Sequence, residues 1–98
     1  MQEELITAYA YGNLQKAVLA NLLADIVAKE PDPIRGLQGF YNEIKRDLQI
    51  TAFPPNATNP DEIRRQALEL AKVLFRDIQD ILLRRGIVPE TDTSRLVF

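Results

Sequence analysis

Apolar residues recur every three or four positions in three stretches of the chain, separated by two proline-bearing breaks at Glu30-Pro31-Asp32-Pro33 and Phe53-Pro54-Pro55. That period predicts helices. The first stretch predicts one helix over about residues 2–29, with Glu3 and Glu4 suited to the positive end of its dipole. Leu5, Ile6, Tyr9 and Leu14 lead into Leu14–Ala28, which only Gln15, Lys16, Asn21 and Asp25 interrupt. A helix with so narrow a polar edge needs partners on more than one side, so this stretch is expected to be the centre of the fold. Ala10, Ala17, Ala20, Ala24 and Ala28 share one side as a small-residue seam. Val18, Leu19, Leu22, Leu23 and Ile26 cover the adjoining sides. One of these surfaces is expected to face the rest of the subunit and the other a second chain. Gly12 costs roughly 1 kcal/mol relative to alanine inside a helix, but no proline accompanies it, so the helix is expected to run through.

Asp32 followed by Pro33 fits an N-cap with proline at the first helical position. The second helix is expected over about 33–49, with Ile34, Leu37, Tyr41, Ile44 and Leu48 as one apolar stripe that Phe40 widens. Gly36 and Gly39 weaken it, so packing must hold it in place. Pro54-Pro55 predicts extended backbone, and Phe53 is expected to pin the loop to the core. Asn56-Ala57-Thr58 matches a glycosylation acceptor, a three-residue pattern that is common by chance.

The third helix is expected over about 60–85. Asn59 is placed to cap it, Pro60 to occupy its first position and Glu62 to complete a capping box. Ile63, Ala67, Leu70, Ala71, Leu74, Phe75, Ile78, Ile81 and Leu82 predict a wide core face. Arg84-Arg85-Gly86-Ile87, followed by Pro89, reads as a glycine-based helix stop. Residues 88–98 read as a polar tail ending in Leu96-Val97-Phe98, which is expected to dock into a groove on its own chain or a neighbour.

These elements predict an all-α fold: a three-helix subunit with two long helices of about 39 Å and a middle one of about 25 Å. The helical domain spans residues 1–87 and the tail 88–98. The shorter middle helix leaves part of the long pair uncovered. The expectation is therefore an antiparallel helical bundle completed by dimerisation, a two-fold pair being the commonest soluble assembly; the alternative is a different protein in the gap. The interface residues expected on this basis are Leu19, Leu22, Leu23, Ile26, Leu96 and Phe98.

Composition narrows the chemistry. In 98 residues there is neither cysteine nor histidine. No disulfide, zinc–thiolate site, Ser-His-Asp triad or His-based metal site is possible. No metal or cofactor is expected, and no enzymatic activity. Tyr9, Tyr11 and Tyr41 with Asp25 are the remaining candidates for lining a pocket, but no spacing among them is diagnostic of chemistry. The Met1-Gln2-Glu3-Glu4 start is wrong for a signal peptide. Leu5–Ala28 is long enough to cross a bilayer but carries too many polar residues. A cytoplasmic location with no membrane contact is expected.

The net charge of −2 exerts no general pull on nucleic acid. Arg64, Arg65, Lys72, Arg76, Arg84 and Arg85 make the third helix the main cationic element, yet Glu69 and Asp80 lie within ion-pairing reach along it. A helix-turn-helix using Arg35, Lys45 and Arg46 is weakened by Glu43 and Asp47. Asn21 and Asp25, four apart, are expected to mark a solvent edge, the alternative being a polar pair that fixes register between two chains. The functional expectation is a small helical protein–protein interaction module: a regulator, adaptor or assembly factor of bacterial type, pairing with itself and another protein. The rival readings are a nucleic-acid-binding regulator using the third helix, or a bundle that holds a small apolar ligand.

Overall fold

A computed structural model describes residues 2–53, 56 and 58–98. It contains α1 (Gln2–Ala28), α2 (Pro33–Ile50), α3 (Pro60–Arg84) and a short 3₁₀ segment (Glu90–Arg95), with no strand among the described residues. The fold is all-helical, as the apolar spacing predicts, and each helix boundary falls within one residue of its expected place. α1 runs unbroken through Gly12. The predicted extended geometry of Pro54-Pro55 lies outside the described residues, as does Ala57 of the Asn56-Ala57-Thr58 pattern.

Ion pairs give the helix directions. Lys16 meets Asp77 at 3.5 Å and Asp25 meets Arg85, so the two sequences advance together and α1 runs parallel to α3. Arg64 near the start of α3 donates to the Thr51 carbonyl at the end of α2 at 2.8 Å, while Tyr41 and Phe75 pack ring to ring midway. α2 is therefore antiparallel to α3. The molecule measures 44 × 35 × 20 Å, about two helix diameters thick.

α3 is the centre of this arrangement, in place of the expected Leu14–Ala28. Phe75, Ile78 and Leu82 are buried between Ile34, Leu37 and Tyr41 of α2 and Ala20, Ala24 and Val27 of α1. α2 buries the stripe its spacing predicts. Of its predicted alanine seam α1 buries Ala20 and Ala24, whose single methyls leave room for the large side chains of α3, together with Val27; Ala28 is half-buried, and Ala10 and Ala17 are exposed. The core face of α3 holds only in its C-terminal half. Ile63 is 42% and Leu70 is 70% exposed, because no helix covers that end of α3 on their side.

The helix ends show which local rules held. The Asp32 carboxylate accepts from the Arg35 N–H at 3.2 Å, the expected N-cap. At the other end of the chain Gly86 has φ +70°, its N–H donates to Leu83, and the Ile87 N–H reaches back to Leu82. This is a Schellman stop, with Ile87 packed on the core. The expected capping box at Asn59 does not form. Asn59 is left-handed at φ 53°, and its side chain makes no capping bond. Glu62 instead accepts from Arg65 and Gln66. Phe53 is half-buried beneath the Arg64 guanidinium, 4.9 Å from its ring.

The segment after α3 is not a solvated tail. Val88 is buried. The Phe98 ring packs on Tyr41 at 5.0 Å and Phe75 at 5.7 Å. Gln38 holds the Val97 backbone at both ends, donating to its carbonyl at 2.9 Å and accepting from its N–H at 2.6 Å.

Two measurements follow from this core and its charges. Leu82→Ala is expected to lower the unfolding free energy by about 3 kcal/mol, whereas Leu70→Ala, on the same predicted face, costs under about 0.5 kcal/mol; urea titration reads both. The Arg65 hydrogen bonds lower the Glu62 carboxyl from its ordinary 4.5 to about 2, with help from Gln66. Its stabilising effect is full above pH 4.5 and lost as pH falls towards 2. Carboxyl NMR should place the Glu62 midpoint well below 4.5, and a midpoint near 4.5 would contradict the pairing.

Candidate interaction surface

The most unusual surface is on α1. Every residue from Gln2 to Gln15 is exposed, and the first half of the helix touches little of its own subunit. Leu5, Ile6, Tyr9, Tyr11, Leu14, Val18, Leu19, Leu22 and Ile26 are all among the exposed large apolar residues, with Leu22 at 55%, Ile26 at 60% and Tyr9 at 67%. α1 is apolar on nearly all sides, so burying Ala20 and Ala24 against α3 leaves Val18, Leu22 and Ile26 outside. Isolated singly, exposed apolar side chains need no explanation; a contiguous set on one helix does.

Between the N-terminal half of α1 and α3 lies an open groove of about 440 Å³, lined by Tyr9, Gly12, Leu19, Leu70 and Val73 among others. It is apolar and unroofed. Lys16 crosses its lower end to Asp77. Gly12 faces open space: nothing lies within 4 Å of where a Cβ would stand.

Below the groove, polar contacts set the register of α1 on α3. Arg85 reaches across to both Asn21, at 3.1 Å, and Asp25. The Asn21 amide also donates to the Ala17 carbonyl at 2.8 Å. The i, i+4 polar pair thus receives an arginine from α3 in the same subunit, at the solvent edge. No sequence signal marked Arg85 for this task, since its partners are 60 and 64 residues away.

The six expected interface residues divide. Leu19, Leu22 and Ile26 lie together on the outer side of α1, whereas Leu23 packs on the core. Leu96 and Phe98 pack on the core of their own chain. Leu5, Tyr11, Leu14 and Val18 extend the exposed apolar surface and were not among the six, while Ile6 and Tyr9 fall on the side of Ala20 and Ala24, with Tyr9 lining the groove. The only trace of them in the sequence is that α1 has almost no polar side. Tyr9, Tyr11, Tyr41 and Asp25 do not converge: Tyr41 is inside the aromatic core, Asp25 is held by Arg85, and the other two are exposed.

The cationic face of α3 is partly neutralised. Arg65 pairs with Glu62 and Lys72 with Glu69. The expected Asp80–Arg84 carboxylate pair is replaced by an Arg84 bond to the Asp80 carbonyl at 3.4 Å. Among the described residues no acidic cluster is arranged to hold a metal ion, and no helix is long and apolar enough to cross a membrane. No protein-family model, curated protein or solved structure matches the chain.

Proposed function

We propose that this chain is a small helical protein–protein interaction module, a regulator, adaptor or assembly factor without catalytic chemistry, that works through the outer face of α1. The subunit is one part of a bundle that another chain completes, and the partners include a second copy of itself.

The observation that carries this reading is the exposed first half of α1. A helical segment of about 14 residues without tertiary support is marginal in water. Here that segment and the turns after it carry a row of half-exposed leucine, isoleucine, valine and tyrosine side chains. Covering each stabilises by roughly 1 kcal/mol at about 25 cal/mol per Å². A second chain laid along α1 therefore supplies the packing that this helix lacks.

The double variant V18E/L22E tests the reading. Both positions are exposed, so the thermal midpoint of the subunit should change little. Affinity capture at endogenous expression, together with light scattering, should show association lost in the variant and present in the parent chain. Identical partners and mass for both proteins would refute the reading.

A further inference from the structure

Beyond a general docking role, and resting on that reading, we infer that α1 pairs antiparallel with α1 of a second copy, across a two-fold axis between residues 16 and 17. The outer face of α1 carries a seam from Glu4 to Lys29 that steps alternately by four and three residues, and all its positions are exposed. That is the spacing of a contact line between two wound helices; Tyr11, Val18 and Leu22 are its large apolar members, and Leu5, Leu19 and Ile26 flank it. Its ends carry opposite charge. Antiparallel pairing about that axis sets Glu4 opposite Lys29 of the second copy, twice per dimer. It also sets Tyr11 opposite Leu22, Gln15 opposite Val18, and Ala8 opposite Asp25, which keeps Arg85 of its own subunit as partner. Parallel pairing would instead oppose Glu4 to Glu4 and Lys29 to Lys29, and like charges at that spacing repel.

Gly12 fits the same pairing. Glycine inside a helix weakens it, and nothing in the subunit occupies the space a side chain would fill. In the antiparallel pair, Gly12 lies on the flank of the seam beside Leu19 of the second copy, and Leu5 lies beside Ile26. The missing side chain makes room for the leucine.

The chain has no cysteine, so Thr7→Cys gives a single spin label on the full-length protein. Sedimentation equilibrium should show a dimer, and pulsed electron–electron resonance an interlabel distance of roughly 30 Å from 19 residues of helical rise. Parallel pairing would bring the labels within about 15 Å and overturn the geometry. Glu4→Lys or Lys29→Glu alone should raise the dimer dissociation constant roughly tenfold, and E4K/K29E should restore it; a double variant no better than either single one counts against the inference. A monomer at hundred-micromolar concentration overturns the second copy as occupant, even where capture of a different protein through Val18 and Leu22 upholds the broader reading. A dimer that survives V18E/L22E overturns both.

Discussion

The packing of Ala20 and Ala24 against the Phe75–Leu82 face of α3 governs the rest of this molecule. An alanine contributes one methyl, so it adds little burial of its own, but it lets a neighbouring helix approach and fill the interface with its larger side chains. Once those two alanines face inward, helical geometry turns Val18, Leu22 and Ile26 outward. The core and the exposed surface are two consequences of one rotation of α1 about its axis.

That rotation is fixed from both sides. On the inner side, Phe75 and Ile78 are already enclosed by Leu37 and Tyr41 of α2, leaving a shallow space that suits alanine better than leucine. At the edge, Arg85 engages Asn21 and Asp25. Exposed ion pairs contribute little stability individually, but these contacts hold α1 in register where its apolar pattern is too uniform to do so. The Schellman stop at Gly86 supports this by ending α3 at Arg84 and leaving Arg85 as its cap.

The far end of the subunit is finished by its last residues. Phe98 joins Phe40, Tyr41 and Phe75 in an aromatic cluster with ring centroids 5.0–5.7 Å apart, the separation that offset and edge-on rings favour. With Gln38 holding the Val97 backbone, Leu96 and Phe98 are packed within their own subunit, while the Val97 side chain is exposed. The exposed apolar surface is therefore concentrated along α1 and the groove it forms with Leu70 and Val73.

The sequence by itself determined the helices and most of their ends. Asp32-Pro33 and Gly86-Ile87 act through bonds spanning three to five residues, so their outcome depends on little beyond neighbouring positions. Asn59 shows the limit of such rules: Glu62 had Arg65 and Gln66 available within one turn, and they took the carboxylate that a capping box requires. The stripe of α2 was legible because only one of its faces is apolar. α1 offered no such contrast. With apolar residues on almost every side, its inward face was decided by the shape of the space that α2 and α3 left open, and by an arginine 60 residues away. Those are relations between distant segments, and only the tertiary structure contains them.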